Sequence, residues 1–66
     1  MFILTQKRKK IVNLASVSQI YIDEGVVLAM CGGKRILLGG YKSDIRAVEV
    51  LLEIFGAKDK YAMPVE

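Results

Sequence analysis

The sequence has no histidine, no tryptophan, a single cysteine and a single proline among its 66 residues. Each absence closes off a class of chemistry. Without histidine there is no Ser-His or Cys-His pair and no imidazole general base. The one thiol, Cys31, cannot form an intrachain disulfide. With no acidic or imidazole group beside it, it makes no zinc site either. Asp23 and Glu24 are the only adjacent carboxylates, and no other acidic cluster lies near them to complete a metal site. The longest uninterrupted apolar run, Val26–Cys31, is six residues, against about 20 for a helix that crosses a bilayer. Met1–Leu4 precede the basic run instead of following it, the reverse of an export signal. Together with the lone free thiol, that order predicts a reducing, cytoplasmic setting.

What is present argues for a packed domain. Apolar residues make up 53% of the chain, above the usual value of about 45–50% and too many for a disordered segment. At this length a folded chain buries only about 60% of its unfolded surface, so a core of this size is near the lower limit for folding alone. The net charge of +3 is unevenly spread. Lys7-Arg8-Lys9-Lys10 supply four positive charges in one short stretch. The rest of the chain sets six bases against seven acids and is close to neutral.

Read along the chain, Phe2–Thr5 and Ile11–Leu14 are strand candidates joined by a polar turn. Val17, Ile20 and Ile22, with Tyr21 alternating, predict a third strand, rich in β-branched and aromatic residues. Asp23-Glu24-Gly25 predicts a tight turn into Val26–Cys31, and Gly32-Gly33 a second hairpin onto Arg35–Leu38. The period then changes from 2 to 3.6. Ile45, Val48, Leu51, Leu52 and Phe55 form one helical stripe. Ser43 serves as N-cap, Asp44 sits in the first turn, and Gly56 is the expected stop.

The fold class that follows is α+β: an antiparallel β-meander of four to five strands with one C-terminal helix packed on one face. Residues 1–56 make the domain. Residues 57–66 form a C-terminal tail, either loose or docked on a neighbour through Tyr61, Met63 and Val65. Both sides of the Val26–Leu38 hairpin are apolar, although one helix can cover only one of them. The second face is therefore expected in an oligomer interface, in a homodimer or homotetramer.

Two segments carry candidate binding chemistry. Gly39-Gly40-Tyr41-Lys42-Ser43, with Arg46, joins a strand end to a helix N-terminus, where free N–H groups and the positive dipole end attract anions. Here Tyr41 can stack on a base, and Lys42 and Arg46 can meet phosphates, Arg46 in bidentate fashion. Lys34 and Arg35 follow the second hairpin turn and add two bases. The spacing matches neither a P-loop nor the dinucleotide fingerprint, so a capped strand-to-helix turn accounts for it equally well. The alternative site is the basic patch Lys7, Arg8, Lys9 and Lys10, which is also the composition of a solvated, edge-protecting turn. The patch has no interleaved aromatic residue, and the helix carries Glu49 and Glu53, features that speak against nucleic acid. No nucleophile–base pair is spaced for catalysis, no cofactor is implied, and the chain is not expected to be an enzyme.

The order of Phe2–Thr5, Ile11–Leu14, Val17–Ile22, Leu38-Gly39-Gly40-Tyr41-Lys42-Ser43 and Ala47–Ile54 resembles small uncharacterised proteins of phages and prophages of Gram-positive bacteria. These share a strand, an Asn-Leu strand, a hairpin, a Leu-Gly-x-Tyr-x-Ser turn and a helix. In size and expected assembly the chain is also similar to phage-encoded sponges that sequester the nucleotide signals of defence systems such as Thoeris and CBASS. That analogy implies a non-enzymatic homo-oligomer binding a small phosphorylated ligand, such as an ADP-ribose-type or cyclic nucleotide, in the host-cell cytoplasm. The alternative is a small interaction module that binds a protein or nucleic-acid partner through its basic turn or a sheet edge.

Overall fold

The computed structural model describes residues 1–66. The elements are β1 (Phe2–Leu4), β2 (Ile11–Asn13), β3 (Gln19–Asp23), β4 (Val26–Cys31), β5 (Lys34–Gly40), α1 (Asp44–Gly56) and β6 (Lys60–Ala62). They make two three-stranded sheets and one helix, a small α+β fold.

The meander is β3-β4-β5, antiparallel throughout. Its turns are the ones the residues dictate. Glu24 and Gly25 lie at φ 50° and 79°, and Gly32 and Gly33 at 58° and 80°. Two left-handed residues in a two-residue loop match the twist of the flanking strands. The pairing of β4 with β5 slips between Val27 and Leu28, where Val27 faces Gly39 but Leu28 faces Leu37. The extra residue is Leu38, and this bulge sits beside its fully buried side chain.

The first hairpin does not extend the meander. The Asn13 side chain accepts a hydrogen bond from the Ala15 N–H at 3.0 Å and turns the chain into a 3-10 turn at Leu14–Ser16. β2 therefore ends before β3 begins. β1 pairs antiparallel with β2 and parallel with β6, in a second sheet of order β2-β1-β6. A single meander of four to five strands is thus corrected to a three-stranded meander plus a separate sheet closed by the chain's end.

Residues 57–66 are accordingly built into the domain. Met63 is fully buried, and its N–H donates to the Leu4 carbonyl at 3.0 Å. The Tyr41 hydroxyl donates to the Pro64 carbonyl at 3.0 Å, and an Arg8 guanidinium N–H to the Met63 carbonyl at 2.7 Å.

The helix starts as its sequence predicts, with Ser43 Oγ accepting the Arg46 N–H at 3.2 Å. It runs through Gly56 and stops where Ala57 turns extended. Its orientation differs from expectation. The buried side is Ala47, Val50 and Ile54, while Ile45, Val48, Leu52 and Phe55 face outward and Leu51 lies between. The small Ala47 and Val50 allow α1 to sit close on β3 and β4, where the bulky Ile45 and Phe55 would hold it away. The core joins Ile3 and Val12 of one sheet, Val27, Ala29 and Leu38 of the other, the inner side of α1, and Met63.

Candidate functional site

The eight residues of the first candidate site do not come together. Lys34 and Arg35 open β5, whereas Gly39 and Gly40 close it. The strand is seven residues long, which sets its two ends about 20 Å apart. Around the helix N-terminus the Tyr41, Arg46 and Ala47 N–H groups already have partners. Ser43 caps Arg46. The Asp44 carboxylate accepts the Gly25 N–H at 2.6 Å, which ties the β3–β4 turn to the start of α1. It also places a carboxylate at the positive end of the helix dipole.

Gly39 is there for packing. A Cβ on it would come to 2.8 Å from the Tyr41 hydroxyl and 3.2 Å from the Gln6 Cβ. Gly40 is clasped by the Gln6 amide, which accepts its N–H and donates to its carbonyl, both at 2.9 Å. Tyr41 is half-buried, and burial together with the nearby Glu66 carboxylate raises its hydroxyl above the ordinary pKa, opposed by Arg46 and Arg8.

Arg46 faces the C-terminus. Its Nε donates to Glu66 at 2.6 Å, it pairs with Glu49 at 3.2 Å, and its guanidinium stands 5.9 Å from the Tyr41 ring centroid. Its hydrogen bonds to the Glu66 and Glu49 carboxylates raise its pKa. Lys42 is exposed and enters no ion pair.

The alternative patch gives a different picture. Lys7, Lys9 and Lys10 line a cleft of about 200 Å³ with Thr5, Gln6, Leu37, Leu38 and Gly39. None of these lysines has a carboxylate within ion-pair distance. Arg8 does not line the cleft; it takes up a left-handed conformation at φ 62° and holds the Met63 carbonyl. The turn itself is anchored. The Thr5 N–H donates to Lys10 and the Gln6 N–H to the Leu38 carbonyl, at 3.0 and 2.8 Å. Four charges in four residues mark this turn in the sequence. The contribution of Gln6 and of β5 has no sequence signal, because it depends on one sheet crossing the other.

No group of three or more acidic or thiol side chains is placed to hold a metal ion. Cys31 is a free, half-buried thiol. No helix is long and apolar enough to cross a membrane. No family model matches the chain, and searches of curated proteins and of solved structures return no match.

Proposed function

We propose that this chain is a non-enzymatic, homo-oligomeric binding protein that sequesters a small phosphorylated ligand, and that the lysine cleft takes the phosphoryl group. The ligand class is that of the nucleotide immune signals, ADP-ribose-type or cyclic nucleotides, and the role that of a viral anti-defence sponge. One observation carries this reading: Lys7, Lys9 and Lys10 surround a cleft without a single carboxylate to neutralise them. The four charges of Lys7–Lys10 exceed the net charge of the whole chain, so the positive potential is concentrated at this turn. A cleft of about 200 Å³ is smaller than the roughly 300–1,000 Å³ of a whole-ligand pocket. It suits a phosphate or diphosphate, with the nucleoside lying over its rim against the exposed Leu37.

Thermal unfolding in the presence of ADP-ribose isomers, cyclic dinucleotides, NAD and inorganic phosphate tests this. A ligand at about 100 times its Kd adds about 2.7 kcal/mol and moves the midpoint of a small domain by roughly 10 °C or more. The triple replacement Lys7→Ala, Lys9→Ala, Lys10→Ala is expected to abolish the shift. A shift that survives this replacement removes the cleft from the reading, and no shift from any compound removes the ligand class.

The same lysines, all exposed on a turn, also suit a nucleic-acid backbone. Duplex DNA binding that weakens with a log–log salt slope of about −2.7, near −0.9 for each of three phosphates, and no response to nucleotides would give the turn to that partner instead.

A further inference from the structure

Helix α1 is apolar on two sides. Ala47, Val50 and Ile54 bury one of them, while Ile45, Val48, Leu52 and Phe55 stand out from the other at 76%, 43%, 62% and 89% exposure. Arg46, Glu49 and Glu53 make the remaining side polar, so the apolar arc is wider than one packing face needs, and no other segment of the chain covers its outer half. The four residues are spaced three, four and three apart, the seam of a helix that packs on another helix. That spacing reads the same in both directions. A twofold axis level with Val50 therefore sets Ile45 of one copy opposite Phe55 of the other, and Val48 opposite Leu52.

We propose that a second copy of this chain covers the stripe, in an antiparallel pairing of the two α1 helices. Three features select this occupant. The palindromic spacing is what an isologous twofold contact requires. The last turn of α1 contains no basic residue, so no side chain of that turn offsets its negative dipole end. The antiparallel pair lays that end beside the positive N-terminal end of the other helix.

The third feature is area. Four side chains at these exposures leave roughly 500 Å² per copy, on the order of 1,000 Å² for the pair, which is where specific interfaces begin. An adjoining open groove of about 540 Å³, walled by Leu14 and Ile20 and by Leu51, Leu52, Ile54 and Phe55 of α1, has no polar lining residue and widens the contact. The pairing uses no residue of the lysine cleft and does not depend on the ligand proposal.

Sedimentation velocity on the full chain tests this inference. The wild type is expected to be dimeric. Leu52→Glu and Phe55→Glu should each raise the dimer Kd by roughly 100-fold or more, because a charge would have to be buried unpaired. Circular dichroism should be unchanged, since neither side chain belongs to the core. Ile11→Glu, on the exposed side of the other sheet, should leave the dimer intact.

Orientation is read by oxidation in a Cys31→Ser background. Leu51→Cys lies close to the twofold axis and should cross-link, whereas Phe55→Cys should not. A monomeric wild type, a dimer that survives Leu52→Glu, or a dimer lost on Ile11→Glu would overturn the pairing. Cross-linking through Phe55→Cys in place of Leu51→Cys would overturn its antiparallel sense.

Discussion

Gly25 and Gly33 hold nearly the same backbone conformation, φ 79° and 80°, each as the second residue of a two-residue turn. They differ in what surrounds them. A Cβ on Gly33 meets nothing within 4 Å, whereas one on Gly25 comes to 2.8 Å from the Tyr41 carbonyl oxygen. Alanine at either position incurs the same left-handed penalty, about 1–2 kcal/mol. Only at Gly25 is a second cost added. The obstructing atom is backbone, and it cannot swing aside: the Tyr41 N–H donates to the Gly25 carbonyl at 2.9 Å, and the Gly25 N–H is held by Asp44. Forcing an extra methyl into such a site costs about 1–3 kcal/mol.

Gly33→Ala should therefore lose about 1–2 kcal/mol and Gly25→Ala about 2–5, a difference that at about 4–8 °C per kcal/mol separates their midpoints by roughly 10 °C. Thermal unfolding followed by circular dichroism measures both, at one protein concentration, because the midpoint of a chain that self-associates depends on it. Equal shifts would refute the reasoning. They would mean that the β3–β4 turn is not seated on the segment leading into α1.

Met63→Ala empties a fully buried position and should cost about 2–5 kcal/mol in urea unfolding; a loss below 1 kcal/mol, roughly the level of surface substitutions, would mean that the chain's end is not part of the core. Burial and the hydrogen bond to Glu53 raise the Tyr61 pKa above the ordinary 10.0. Below pH 10 this contribution is fully present; above it the unfolded chain releases the proton first, so stability declines as pH rises toward the folded-state pKa. Tyr61→Phe should flatten that decline, and an unchanged slope between roughly pH 9 and 11 would count against the Glu53 contact. Arg46→Ala should expose the last residues to carboxypeptidase, as it removes the Glu66 pairing, yet leave any phosphate-dependent thermal shift unchanged; loss of that shift would return Arg46 to the binding site. Gln6→Ala removes the amide clasp on Gly40 and Pro64 and should weaken a cleft-bound phosphate about tenfold, near 1.4 kcal/mol, by loosening the turn before binding. Unaltered affinity would show that the turn is held without it.

The local elements were legible where one residue type has one structural use. Glu24-Gly25 and Gly32-Gly33 make the two turns the sequence announces, and Ser43 caps the helix it precedes. Periodicity located α1 but not its rotation. The stripe Ile45, Val48, Leu52, Phe55 is the more hydrophobic side, and a reading that matches hydrophobicity to burial turns it inward. Close approach decided otherwise. The inner side of the β3–β4 pair already brings Ile20, Ile22 and Val27, and the space left fits Ala47 and Val50. Hydrophobic pattern reports how much surface must be covered. It does not report whether the cover is this chain or another.

Long-range pairing is where sequence reading stops, and both the tail and the candidate site depend on it. β6 is three residues long, mixed in character, and followed by Pro64. Nothing in it signals a parallel partner some 58 residues away, yet Phe2–Leu4 pair with Lys60–Ala62 in register. That pairing places Met63 and Pro64 beside the β1–β2 turn. Arg8 then reaches the Met63 carbonyl, and Gln6 the Pro64 carbonyl and both backbone groups of Gly40. One side chain of the basic run and its neighbour are thus consumed in fixing the turn, which leaves Lys7, Lys9 and Lys10 to line the cleft. The sequence shows four like charges in a row. The fold divides them into one that holds structure and three that remain unneutralised, and this division gives the basic turn a stronger claim to an anion than the glycine-rich segment, where Arg46 is paired with two carboxylates and Asp44 sets a third at the helix N-terminus.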